Sequence, residues 1–148
     1  METTTAHPPA TAVPVRGPRA TLWLLRVTAT VQAGLVLVQP VLAGWYLSGD
    51  YDALSAHAAN AGYVGYGVIA SLISTLLYWL PGRGRGGPFL VAVAVFVALV
   101  FQFGAGYGRN LALHIPLGVA IVTASVLFGI WAWRPAARRA RRPFRWPR

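Results

Sequence analysis

The chain consists of long apolar stretches without charge, and its arginines lie before, between and after them. The uncharged stretches cover residues 27–47, 53–82, 86–108 and 110–133. Each reaches the roughly 20 residues that an α-helix needs to cross a bilayer. None alternates apolar and polar residues, and an open sheet in lipid would leave backbone groups unpaired. The pattern therefore predicts four transmembrane helices, at about residues 21–47, 55–80, 88–108 and 111–133.

The connections between these stretches are short, so consecutive helices should be antiparallel neighbours. We expect an all-α fold, an integral membrane four-helix up-down bundle that occupies residues 20–134. Residues 1–19 are rich in Thr, Pro and Ala and predict a disordered N-terminal segment. Residues 135–148 form a basic tail. The predicted bundle leaves no room for a separate soluble domain.

The net charge of +10 is concentrated on one side of the predicted bundle. Arginines precede the first span, separate the second from the third and follow the fourth, whereas Asp50 and Asp52 lie after the first. By the positive-inside rule, both termini are cytoplasmic and the protein is a multi-pass protein of the cell membrane. The basic tail suits anionic lipid headgroups. We do not expect a nucleic-acid partner, because no folded basic platform accompanies the tail.

Two histidines are the main candidates for chemistry. His57 and His114 lie in the second and fourth spans, which run in the same direction. Counted from the aromatic residues at the cytoplasmic ends, they lie about 35 and 29 Å along their helices at 1.5 Å per residue. Helices two and four are diagonal in such a bundle, so both imidazoles can face one central space. Ionisable groups inside a membrane are rare, and a pair at one level indicates a shared ligand.

Each predicted helix carries one seam of polar or small residues, which in the third span includes Gln102, Gly106 and Arg109, and the strongest polar groups lie in the outer half of the bundle. Gln39 in the first span and Gln102 in the third are candidate cofactor contacts, and Arg109 is a candidate partner for an anionic group such as a haem propionate. Two plainer interpretations stay open. The glutamines are also typical of hydrogen bonding between membrane helices, and Arg109 is also typical of an interfacial loop.

The donor set limits the metal or cofactor that His57 and His114 would bind. The chain has no cysteine, which excludes thiolate ligands, covalently attached c-type haem and Cys-ligated iron–sulfur clusters. Zinc takes four ligands, and only Asp50 and Asp52 in a loop could add to the pair. A haem iron takes two axial imidazoles. The predicted cofactor is therefore haem b, with His57 and His114 as the metal ligands.

With these two histidines at these positions, the chain resembles one half of a haem A synthase. That family consists of two four-helix halves, in which histidines near the outer ends of the second and fourth helices hold a haem b. The resemblance is architectural and covers about residues 21–133. His57 and His114 occupy the positions of the family's second-helix and fourth-helix histidines. The chain differs in having one half, no cysteine pair in an outer loop and no glutamate before His57. These departures favour a single-haem relative over haem A synthase activity.

The expected function is electron transfer by a membrane b-type haem near the outer face. The chain would act as an electron-transfer or accessory protein and not as an enzyme in its own right. Candidate partners are the lipid bilayer, a quinone or respiratory-chain protein, and a second copy or a larger membrane complex. Two alternatives stay open, a cofactor-free structural or assembly subunit of a membrane complex and a small transporter. The lack of carboxylates within the spans counts against a proton- or cation-coupled exchanger.

Overall fold

The computed structural model of the protein describes residues 20–141. It contains four α-helices, α1 (Ala20–Leu47), α2 (Asp52–Trp79), α3 (Gly87–Tyr107) and α4 (Leu111–Trp133), followed by a 3₁₀ helix, Pro135–Arg138. Each α-helix is long and apolar enough to cross a membrane. The predicted all-α fold with four such helices is confirmed. The expectations for residues 1–19 and for the end of the tail, 142–148, fall outside the described residues.

The helix boundaries follow local sequence signals. α2 begins at Asp52, three residues before the expected start, and a carboxylate in the first turn is favourable at the positive end of the helix dipole. α4 begins after Asn110, whose side chain accepts a hydrogen bond from the Leu113 backbone N–H at 3.2 Å. Pro116 lies in the second turn of α4, which stays helical through it.

Consecutive helices pack against each other, and α1 also packs against α4, so the four form a closed ring. α1 and α3, like α2 and α4, are therefore diagonal. The central layer of the core contains Val36, Val64, Val68, Leu99 and Ile121, which come from all four helices. Two ends can be defined. The basic end holds the start of α1, the α2–α3 turn and residues 134–141, and the histidine end holds the α1–α2 and α3–α4 turns.

The surface of the bundle is apolar along its length. Exposed large hydrophobic side chains occur on every helix, for example Val31 on α1, Ile73 on α2, Val100 on α3 and Ile130 on α4. A water-soluble protein rarely exposes so large a continuous apolar surface. This surface is therefore typical of a bundle that faces lipid.

Arg26 is buried at the basic end, although its charge and position suggest a group exposed at the membrane boundary. Only 4% of it is exposed, and its Nε donates to the Ala132 carbonyl oxygen at 3.0 Å. Its guanidinium carbon lies 5.1 Å from the Trp23 ring centroid and 4.9 Å from that of Trp133. The two indoles and a carbonyl near the C-terminus of α4 thus stabilise the charge, which ties α1 to α4.

The first part of the basic tail packs onto the bundle. Ala137 is fully buried beside Leu22, Leu25 and Tyr78, and the Tyr78 hydroxyl donates to the Ala137 carbonyl oxygen at 2.9 Å. The backbone N–H of Arg141 donates to the Arg83 carbonyl oxygen at 2.9 Å, which joins the tail to the α2–α3 turn. Residues 135–141 are therefore part of the folded domain.

The Tyr78 hydrogen bond should hold the tail in place. We expect Tyr78→Phe to lower the free energy of unfolding by about 1 kcal/mol, because the buried Ala137 carbonyl loses its donor. Trypsin should then cut faster after Arg138 and Arg139. The measurement is thermal unfolding in detergent together with the rate of limited proteolysis.

Tyr66→Phe is the matched control, since Tyr66 is on the same helix and 73% exposed. Equal destabilisation by both substitutions, or unchanged cleavage in Tyr78→Phe, would contradict the role assigned to this bond.

Candidate functional site

The site lies at the histidine end, where α2 and α4 each present an imidazole to the interior. His57 is in the second turn of α2 and His114 in the first turn of α4. Their ring centroids are 6.2 Å apart, with the ring planes at 55°. Both residues are partly buried. The two rings are thus neighbours across the diagonal of the bundle.

The position of His114 depends on the α3–α4 turn and on a glycine of α3. Asn110 caps α4 and so fixes which residues form its first turn, the turn that contains His114. A Cβ atom on Gly106 would lie 3.0 Å from His114 Cε1, closer than ordinary van der Waals contact. Glycine at this position therefore allows the imidazole to lie directly against the α3 backbone.

Both histidines use Nδ1 in the same way. His57 Nδ1 lies 3.2 Å from the Gln39 carbonyl oxygen, and His114 Nδ1 lies 3.1 Å from the Gln102 carbonyl oxygen. A carbonyl only accepts, so these bonds assign the proton of each ring to Nδ1. Nε2 then keeps its lone pair. Histidines that bind metals have this arrangement, with one ring nitrogen donating to a carbonyl or carboxylate and the other facing the metal.

The glutamine side chains lie beside the same histidines. The Gln102 amide nitrogen is 3.3 Å from His114 Nε2 and donates to it, while the buried Gln102 Oε1 has no hydrogen-bond partner. In the orientation that satisfies both of its polar atoms, the Gln39 amide nitrogen lies 3.2 Å from the His57 carbonyl oxygen and 3.2 Å from His57 Nδ1, and the amide oxygen lies 3.3 Å from the Ala61 nitrogen. With the ring proton on Nδ1, this amide nitrogen donates to the His57 carbonyl oxygen alone. Of the predicted site residues, His57, His114, Gln39 and Gln102 are therefore brought together.

Arg109 lies apart from them. It is exposed in the α3–α4 turn, with a left-handed φ of 55°, and does not line the cavity beside the histidines. α3 ends at Tyr107 and the chain turns before Arg109, so Arg109 leaves the helical seam of Gln102 and Gly106, and its contact with an anionic group stays a prediction. A seam of spacing three and four holds only while the helix continues.

A cavity of about 280 Å³ adjoins the two rings and is lined by residues of all four helices. Its walls are mostly apolar, and they include Val36, Val64, Leu99 and Phe103. Exposed residues of α1 and α4 also line it, among them Ile115 and Val119, which are 58% and 62% exposed. The cavity therefore opens sideways between α1 and α4. Sequence patterns do not indicate this opening, since it depends on how far apart two helices lie.

The centroid separation of 6.2 Å is similar to that of two imidazoles that share one metal ion, whereas His114 Nε2 here accepts from the Gln102 amide. Two imidazoles on opposite sides of one ion have centroids about 6 Å apart, because each metal–nitrogen bond is about 2.0 Å and each nitrogen about 1 Å from its ring centre. Among residues 20–141, no group of three or more His, Cys, Asp or Glu side chains could hold a metal. The two histidines are therefore too few to complete a zinc site, which takes four ligands.

A flat macrocycle would need more room than the cavity alone provides. Its volume of about 280 Å³ is just below the usual range for ligand pockets, about 300–1,000 Å³. The Gln102 amide would also have to turn away from His114 Nε2. The lateral opening between α1 and α4 gives the additional space on one side.

The chain was also compared with known proteins. No protein-family model, no curated protein and no solved structure matches it.

Proposed function

We propose that the protein is a multi-pass membrane protein that holds one b-type haem between His57 and His114 and takes part in electron transfer. Two groups of observations support the membrane part. Four helices are long and apolar enough to span, and their outer surface is apolar. The arginines of the α2–α3 turn and of the tail lie at the same end as the start of α1. That end is cytoplasmic by the positive-inside rule, which puts the histidine end on the outer side.

The observation that carries the haem proposal is the matched hydrogen bonding of the two imidazoles. Each donates from Nδ1 to a backbone carbonyl of the helix beside it, at 3.2 and 3.1 Å, across a centroid separation of 6.2 Å. One such histidine is an ordinary contact between helices. Two that both donate from Nδ1 beside one apolar cavity favour a shared metal centre, in which His114 Nε2 would exchange the Gln102 amide for the metal.

When bound, the haem would supply one-electron oxidation and reduction. The chain's own residues have distinct roles. His57 and His114 would hold the iron, and the Gln39 and Gln102 carbonyls fix the tautomer and direction of each ring. Gly106 keeps space for the His114 ring. The apolar walls lower the local polarity, which is one of the means by which a protein sets a reduction potential.

We also propose that the chain is a single-haem relative of the haem A synthase family, since it resembles one half of such a synthase. The lateral opening between α1 and α4 suits a redox partner that approaches within the membrane, such as a quinone. Arg109 lies at the histidine end and is exposed, so its proposed contact with a haem propionate would be made at the rim of the site.

A cofactor-free structural subunit is the second candidate. The bond from the Gln102 amide to His114 Nε2 favours it, because this bond leaves His114 satisfied without any ligand. In that case the imidazoles would act as hydrogen-bonding groups between membrane helices.

Removal of either axial ligand should abolish low-spin haem. We expect His57→Ala and His114→Ala each to reduce bound haem by about tenfold or more, since loss of a residue that merely orients a metal ligand costs 10- to 100-fold. The measurement is the reduced optical spectrum of the solubilised protein, with haem supplied during expression. His7→Ala is the matched control and should keep the wild-type spectrum.

A wild-type protein without a Soret band after haem supply would favour the cofactor-free subunit. Unchanged absorbance in either of the two site variants would show that the axial assignment is wrong.

Filling the cavity should exclude the macrocycle while leaving both histidines intact. Ala61 lines the cavity one turn after His57, so Ala61→Phe should lower haem content with little effect on folding. Ala59→Phe makes the same change on the exposed face of α2 and should have no effect. Haem per protein and the thermal midpoint of the apoprotein are measured for both. Equal haem in the two variants would place the cofactor outside this cavity.

A further inference from the structure

A second cavity, at the basic end, has features of a binding site unrelated to the histidines. It is a groove of about 1110 Å³ between the start of α3 and the end of α4. Arg85 of the α2–α3 turn and Arg139 and Arg141 of the tail line its mouth. Its wall is apolar and includes Val91 of α3 and Leu127, Phe128 and Trp131 of α4.

The three guanidinium groups come from two separate segments that the fold joins. The Arg141 backbone N–H bonds to the Arg83 carbonyl oxygen at 2.9 Å, and the Tyr78 hydroxyl bonds to the Ala137 carbonyl oxygen at 2.9 Å. These bonds hold the tail arginines beside the turn that carries Arg85. The cations are therefore brought together by folded structure.

No carboxylate of the described residues balances this charge. Asp50 and Asp52 lie at the histidine end, the length of a helix away. The groove also adjoins Gly86 and Gly87 at the N-terminus of α3, where the helix dipole adds a positive field. An occupant of the mouth should therefore be an anion.

The apolar wall of the groove indicates that the anion carries an apolar group. It continues from the arginines along the seam between α3 and α4, with Leu127 60% exposed and the Phe128 and Trp131 rings stacked at 5.8 Å. A soluble anion would leave this apolar surface uncovered. A phospholipid places its phosphate beside the arginines and an acyl chain along the seam.

We propose that this groove is a binding site for an anionic phospholipid of the leaflet that faces the basic end. The phosphate would contact Arg85, Arg139 and Arg141, and one acyl chain would pack on Leu127 and Phe128. Basic pockets between transmembrane helices have the chemistry to hold such headgroups. The site would fix the tail against α3 and α4, and it would do so whether or not haem is present.

The test is a titration of the full chain in detergent with dioleoylphosphatidylglycerol, with lipid-bound protein counted by native mass spectrometry. Dioleoylphosphatidylcholine is the zwitterionic control. We expect the first molecule of the anionic lipid to bind more tightly than phosphatidylcholine. Arg85→Gln and Arg139→Gln should each weaken that binding about fivefold, from about 1 kcal/mol per arginine near a headgroup.

Arg83→Gln is the matched control, since Arg83 is exposed on the same turn and does not line the groove. It should leave the affinity unchanged. Circular dichroism and thermal melts check that the variants, all at exposed positions, stay folded. An equal loss in Arg83→Gln would show general attraction of charge and overturn the site.

Two further outcomes also decide the proposal. Equal affinity of the wild-type protein for both lipids would overturn it. Glycerol phosphate, which has the anionic group without acyl chains, should displace little lipid at equal concentration. Displacement as effective as that by phosphatidylglycerol would assign the groove to a soluble anion instead.

Discussion

The bundle depends on one constraint, that a polar group inside an apolar surrounding is costly unless it finds a partner within the protein. The two imidazoles meet it through the Gln39 and Gln102 carbonyls. Arg26 meets it in part, through the Ala132 carbonyl oxygen and the Trp133 ring on α4 and the Trp23 ring on α1, while its Nη2 has no hydrogen-bond partner. Except for the Arg26–Trp23 contact, each of these contacts joins different helices. The same bonds that satisfy the polar groups therefore fix the rotation of each helix about its axis and its position along that axis relative to its neighbours.

The two ends of the bundle solve this constraint differently. At the basic end, Tyr78 and the buried Ala137 hold the tail against the helices, and a groove lined by arginines remains between α3 and α4. At the histidine end, the helices leave a cavity beside the imidazoles that opens between α1 and α4. Each end therefore has room for a ligand, and the polar groups that line the two spaces differ. The proposed haem site and the proposed lipid site are accordingly at opposite ends and built from different residues.

Much of the fold could be predicted from the sequence because its signals are local. Uncharged stretches of 20 residues or more predict helices wherever they occur, and Gly, Pro and Asn mark where those helices end. The depth of His57 and His114 follows from counting residues along two parallel spans, and their proximity in the structure agrees with it. Arg109 leaves the seam of Gln102 and Gly106, because α3 ends before it and periodicity does not extend through a turn.

The sequence by itself therefore determined four apolar helices, their alternating direction and two histidines at one level. Only the tertiary structure decided that carbonyls of Gln39 and Gln102 receive the Nδ1 protons, that Arg26 is buried, and that residues 135–141 join the domain. The physical reason is the range of each interaction. The length of an apolar stretch and the position of a helix end depend on residues that are neighbours in the sequence. A hydrogen bond between helices depends on the rotation and separation of two helices, which the packing of the whole bundle sets.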